Sequence, residues 1–96
     1  MNIKQIRTTL KKQLPYLSQT YQVRSLGVFG SYIRRQQKPS SDLDILVTFK
    51  QPPSLLKFIE LENYLGDQFK VKVDLVMKNV LKPAIGKHIL NEVVYV

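Results

Sequence analysis

Residues 30–47 read GSYIRRQQKPSSDLDILV. A Gly-Ser pair is followed by a polar interval, then by Asp42-Leu43-Asp44 and the apolar residues Ile45, Leu46 and Val47. Aspartate is a poor strand former, yet Asp44 lies inside Leu43 to Phe49, which otherwise reads as a buried strand. In a strand, alternate residues share a face and advance about 6.6 Å per pair. Asp42 and Asp44 are therefore expected to point one way while Leu43, Ile45 and Val47 enter the core.

On the N-terminal side, Val23 to Phe29 is a short apolar-rich run that ends at Gly30 and reads as the preceding strand. Val71 to Met77 alternates as a third, with Val71, Val73, Leu75 and Met77 on one face and Asp74 on the other. Ile3, Ile6, Leu10 and Leu14 stand at helical spacing, so the chain opens with an amphipathic helix expected to stop before Pro15. Ser54 can cap a second helix with Leu55, Phe58, Ile59, Glu62 and Leu65 on one side and a stop at Gly66. Pro83 is placed to open a last helix over 83–91, leaving the tail Val93-Val94-Tyr95-Val96 to pack on the body or on a partner. The expected fold is α/β (α+β): one domain over residues 1–96, a small mixed sheet flanked by helices.

Composition narrows the function classes. Fifteen Lys and Arg against seven Asp and Glu give a net charge of +8, an excess that attracts polyanions such as nucleic acid, nucleotide phosphates or an acidic partner. The basic residues are scattered, however, and no helix-turn-helix or RNP-like motif accompanies them. There is no cysteine, which excludes disulfides and thiolate zinc sites and suits a reducing compartment. The opening MNIKQIRTTLKKQL has no unbroken apolar run, so a signal peptide or membrane span is not expected and the cytoplasm is the expected location.

The acids carry the chemistry. Asp42, Asp44 and Asp74 account for three of only seven acidic residues, and adjacent strands can bring them together. Bare carboxylates at that distance repel and raise one another's pKa unless a cation neutralises them. Oxygen-only ligands suit Mg²⁺ or Mn²⁺, which also bind substrate phosphates, and two such ions about 3.5–4 Å apart support in-line displacement at phosphorus. Gly30 lets the backbone approach an anion, and the amide and hydroxyl of Ser31 can donate to phosphate oxygens. Arg34, Arg35 and Lys38 lie in the connecting segment, where they can neutralise a triphosphate or remain solvated turn charges. Each acid also has a plain structural reading: Asp42 ending the turn Pro39-Ser40-Ser41, Asp74 pairing with Lys70 or Lys72. The combination of Gly, Ser, Asp and Asp at fixed spacing, however, has a chance frequency of roughly one in a hundred thousand per starting position. The constellation points to phosphoryl or nucleotidyl transfer.

With these residues in place, the sequence resembles the minimal nucleotidyltransferase family of the polymerase-β superfamily. The hallmark of that family is Gly-Ser, ten residues, then Asp-x-Asp, with a later carboxylate on a strand. Gly30-Ser31 and Asp42-x-Asp44 fit that spacing, and Lys72-Val73-Asp74-Leu75-Val76 looks like the third-carboxylate strand. Residue by residue, the resemblance implies that Gly30 and Ser31 hold the nucleotide triphosphate, beside which Arg34 is assigned to nucleotide binding by its charge, and that Asp42 and Asp44 bind Mg²⁺. It implies that Asp74 joins the metal shell and helps deprotonate the acceptor hydroxyl. It further implies an antitoxin that uses ATP to place AMP on a hydroxyl, a tyrosine, of a HEPN-family ribonuclease toxin. Where family members often read small-Arg-Gly-Glu after Ser-Tyr, this chain has Ile33-Arg34-Arg35-Gln36, a bulkier turn without the glycine. Three other readings stay open: a non-catalytic antitoxin that works by binding, a basic nucleic-acid-binding module, and the same chemistry on a small-molecule acceptor.

Overall fold

In the computed structural model, which describes residues 1–96, the first helix, α1 (Ile3–Tyr21), starts at a reciprocal cap. The Asn2 side chain accepts from the Gln5 N–H and the Gln5 side chain accepts from the Asn2 N–H, each at 2.9 Å, which satisfies two of the donors a helix start leaves free. The helix does not stop before Pro15 but runs through it. Pro15 and Lys11, the residue whose carbonyl it leaves without an amide partner, are both exposed. Beyond it, Leu17 and Tyr21 extend the buried stripe begun by Ile6 and Leu10. Burial of that extra turn outweighs the proline's local cost, about 3 kcal/mol in a helix interior.

The strands β1 (Val23–Phe29) and β2 (Leu43–Phe49) have the bounds read from the sequence. They pair antiparallel, with Leu26 opposite Val47 and Phe29 opposite Asp44. The third strand, β3 (Val73–Met77), begins two residues later than the alternation suggested and lies parallel to β2. The connection between these parallel strands is α2 (Leu55–Phe69), capped by the Ser54 side chain accepting from the Lys57 N–H. Its bounds and its buried face differ from expectation. The helix passes Gly66 and ends at Lys70 in the left-handed conformation; Gly66 instead makes room for the Val71 carbonyl, which would lie 3.3 Å from a Cβ there. Leu61, Leu65 and Phe69 are buried, whereas Leu55 and Ile59 are 75% and 43% exposed. Of the expected face, Leu65 is buried and Phe58 packs on the core while Leu55 and Ile59 face outward, so the stripe is shifted toward Leu61 and Phe69.

After a 3₁₀ turn at Lys78–Val80, α3 (Pro83–Glu92) starts on its proline as expected and runs one residue further than the spacing indicated. The tail then folds back as β4 (Val94–Tyr95), antiparallel to β1, giving the mixed sheet order β3-β2-β1-β4. It packs on the body: the Val96 N–H donates to the Leu26 carbonyl at 3.0 Å and Arg7 donates to the Tyr95 carbonyl at 3.2 Å. Glycine at position 27 lets the tail close, because a Cβ there would stand 2.6 Å from Val93 Cγ2.

The principal core lies between one sheet face and the helices α1 and α2, where Leu26, Val28, Leu43, Ile45, Val47, Val73 and Leu75 meet Ile6, Leu10, Leu17, Leu61 and Leu65. The alternate strand residues, including Asp44, Leu46 and Asp74, project from the other face. No helix is long and apolar enough to cross a membrane.

Candidate active site

The site forms where β1 ends and where β2 and β3 begin. Asp42 immediately precedes β2, Asp44 is its second residue, and Asp74 is the second residue of β3. In the parallel register Asp44 is paired with Asp74, so the two side chains leave the same face from neighbouring strands. Leu43 and Ile45 flank Asp44 with no exposed surface and pin the strand's orientation, which fixes the direction of the carboxylate between them. Asp74 is held the same way by buried Val73 and Leu75.

Gly30 joins the two halves of the motif physically. It opens a single 3₁₀ turn, Gly30–Tyr32, with φ of +82°, a conformation that only glycine adopts cheaply. A Cβ at this position would collide with the Asp44 carboxylate. The turn is closed by the Ile33 and Arg34 N–H groups, which donate to the Gly30 carbonyl at 3.0 and 3.1 Å. The Gly-Ser turn therefore rests directly against the Asp-x-Asp strand, and Ser31 is half-buried beside it.

The electrostatics follow from that crowding. Burial, then the Asp74 and Asp42 carboxylates, push Asp44 from 3.8 up to about 6, with Arg34 acting in the opposite direction. Negative charge at this edge is thus under-compensated. Lys72 approaches Asp42 only to 4.0 Å and is 80% exposed; it does little to offset the charge. A divalent cation fits this need, and the donors are all oxygen, the set that Mg²⁺ and Mn²⁺ prefer. No three acidic, histidine or cysteine side chains stand close enough to enclose an ion by themselves. The aspartates form an open set of the kind that water and substrate phosphate complete. A surface depression of about 760 Å³ lies beside this edge, between α2 and β3, lined by Glu62, Gly66, Asp67 and Lys72 among others.

The residues of the connecting segment part company. Arg34 turns back over the site and pairs with Glu92 at 3.0 Å, while Arg35 and Lys38 are exposed without a carboxylate partner. Arg35 takes the left-handed conformation, φ +57°, at the position where the resemblance puts glycine. Glu92 escaped the sequence reading. Its carboxylate accepts from the Gly30 N–H at 2.5 Å and from Arg34 Nη1 at 3.0 and 3.1 Å. One signal pointed to it: an acid in the last turn of a helix, with no basic residue there, opposes the helix dipole and so asks for a partner elsewhere. His88, on the same helix, is exposed and stands 3.9 Å from Glu92.

Comparison with known proteins agrees with this geometry. The family described as "Nucleotidyltransferase domain" matches residues 10–96. "Protein adenylyltransferase MntA" of Thermococcus cleftensis is 50% identical over 96 residues, 100% of this chain and 97% of the relative. A solved structure described as a minimal nucleotidyltransferase superposes with a TM-score of 0.81 at 29% identity, covering 98% of this chain and 95% of that one. A Shewanella oneidensis complex of a tri-AMPylated HEPN toxin with its MNT antitoxin shares the fold, with a TM-score of 0.66 at 18% identity over 93% of this chain and 70% of that one. By its motif, its fold and these likenesses, the chain belongs to the nucleotidyltransferase domain family.

Proposed function

We propose that this protein is an antitoxin that transfers AMP from ATP to a hydroxyl, a tyrosine, of a HEPN-family toxin and so neutralises it. The observation that carries the proposal is the register of Asp44 with Asp74 beside Gly30, in a chain half identical to a protein adenylyltransferase. The AMPylated toxin in the Shewanella complex indicates the acceptor class.

In this reading the Gly30 and Ser31 amides and the Ser31 hydroxyl hold the β- and γ-phosphates, and Arg34 neutralises part of their charge. Asp42 and Asp44 would hold Mg²⁺, with Asp74 joining an oxygen set that water and substrate phosphate complete. When bound, the ion would supply positive charge to offset that of the carboxylates and the triphosphate. Asp74, the most exposed of the three, accepts the proton of the acceptor hydroxyl as its oxygen bonds to the α-phosphorus. The bond from that phosphorus to the bridging oxygen breaks, and pyrophosphate leaves. Asp74 lies exposed at the strand edge, which suits an acceptor carried on another macromolecule.

The test is transfer of label from α-³²P-ATP to a co-purified HEPN toxin in Mg²⁺. The wild-type chain labels the toxin, and Asp42→Asn with Asp44→Asn lowers the rate by at least about 10³-fold, as loss of metal-held charge stabilisation does. Equal labelling by the double variant rules out these acids as the catalytic centre. Neutralisation of the toxin by an inactive double variant would assign the effect to binding alone.

A further inference from the structure

Glu92 is an acid at this edge to which the proposed reaction gives no role. It is the last residue of α3, with 17% of its side chain exposed. Its charge adds to the repulsion felt by Asp44, and it lies at the helix end that disfavours a negative charge. What holds it there is one backbone amide and one guanidinium: the Gly30 N–H at 2.5 Å, and Arg34 Nη1 at 3.0 and 3.1 Å from its two oxygens. His88 at 3.9 Å is exposed and adds little.

These are the donors that a triphosphate entering beside Gly30-Ser31 requires. One amide hydrogen cannot serve a carboxylate oxygen and a phosphate oxygen at full strength together, and Arg34 Nη1 is already shared between the two carboxylate oxygens. We propose that Glu92 is an internal stand-in for a nucleotide phosphate: it fills the anion position at the Gly30 amide in the nucleotide-free protein and gives way when the triphosphate enters. The inference rests on the phosphate-binding reading of Gly30-Ser31. Glu92 then sets nucleotide affinity without touching the reacting atoms, because the binding-competent state is only the fraction in which the carboxylate has moved away. It also links nucleotide occupancy to the tail, since β4 follows Glu92 after a single residue. In the free protein the same contact keeps Arg34 and the turn ordered in the absence of ligand.

Isothermal titration of the full chain in Mg²⁺ with ATP, inorganic triphosphate and adenosine, for wild type, Glu92→Gln and Glu92→Ala, tests the proposal. Both variants are expected to bind ATP and triphosphate about 10-fold more tightly than wild type, as a competent fraction near one in ten implies, with adenosine unchanged. A residue that merely braced the turn would have the opposite sign: ATP binding unchanged or weaker in a variant with wild-type circular dichroism overturns the proposal. If Glu92→Ala fails to fold, Glu92→Gln, which keeps an acceptor oxygen but loses the charge, decides by the same criterion. Absence of ATP and triphosphate binding in all three proteins overturns the phosphate-binding reading of the turn itself, and this inference with it.

Discussion

Asp44 and Asp74 stand in register on the parallel strands β2 and β3, so the two carboxylates project side by side from the same sheet face. This pairing brings together residues thirty positions apart in the chain. It follows from one structural choice: α2 carries the chain back so that β3 runs parallel to β2, and both strands start at the same edge. An antiparallel hairpin would have put the two acids at opposite ends unless the register were specially set. The fold thus concentrates negative charge at one sheet edge, and the protein carries the cost.

That cost gives a pH dependence with a definite sign. Asp44 has a pKa of about 6 in the folded chain against an ordinary 3.8, so between these values the folded state binds more protons than the unfolded one. Its contribution to stability is fully present below about pH 3.8 and is lost as pH rises through about 6. In EDTA, Asp44→Asn should therefore melt above wild type at pH 7.5 by about 4–8 °C, the equivalent of ~1 kcal/mol after allowance for partial exposure. The gap should shrink markedly at pH 5. Saturating Mg²⁺ should raise the melting temperature of wild type at pH 7.5 and leave the variant nearly unmoved. Parallel melts of the two proteins across this pH range check both expectations.

The Gly30→Ala variant tests the contact between the two halves of the motif. Alanine at φ +82° costs about 1–2 kcal/mol from the backbone alone, and its Cβ would displace the Asp44 carboxylate. Urea denaturation should show a loss of at least about 1 kcal/mol. Transfer activity should fall by at least about 10²-fold, because an ångström of misplacement at a reacting centre is worth that much. Stability and activity both close to wild type would show that the turn does not rest on Asp44.

The two central strands and the aspartate pair were legible in the sequence because local pattern alone determines them: alternation, a terminal glycine, and acids where acids are costly. What escaped depends on partners distant in the chain. Pro15 looked like a stop, but Leu17 and Tyr21 bury the turn beyond it. Gly66 looked like a cap, and its reason is the Val71 carbonyl passing close by. Leu65 and Phe58 of the expected stripe face the core, but Leu55 and Ile59 do not, and Leu61 and Phe69 take their place. Glu92 could be suspected only from its unfavourable helix position, since its partners lie 62 and 58 residues upstream.

Arg35 offers a stabilising change. It is exposed, has φ +57° and occupies the place that glycine holds in the family resemblance. The left-handed conformation costs a side-chain-bearing residue about 1–2 kcal/mol, while glycine adds about 0.5–1 kcal/mol of chain entropy to the unfolded state. Arg35→Gly should accordingly gain about 0.5–1 kcal/mol, a rise of ~2–8 °C in melting temperature. Differential scanning calorimetry reads this directly. A lower melting temperature would mean that the Arg35 side chain makes a stabilising contact that outweighs its backbone strain.

Glu62 protects the outer edge of the site-bearing sheet. β3 is an edge strand, and an edge strand's outward amides lack a strand partner. The Glu62 carboxylate on α2 accepts from the Leu75 N–H at 2.9 Å, one residue beyond Asp74, and so ties the helix to the strand that carries the third acid. A hydrogen bond to a charged acceptor contributes about 1.5–3 kcal/mol. Glu62→Ala should lose about 1–2 kcal/mol, since water can reach part of the exposed edge, and Glu62→Gln, which keeps an acceptor oxygen, about half as much. Amide hydrogen exchange adds the local readout: the Leu75 N–H should exchange faster in Glu62→Ala by a larger factor than the Ile45 N–H on the central strand β2. An equal change at both amides would indicate that Glu62 supports the fold as a whole and leaves the β3 edge no more exposed than the rest.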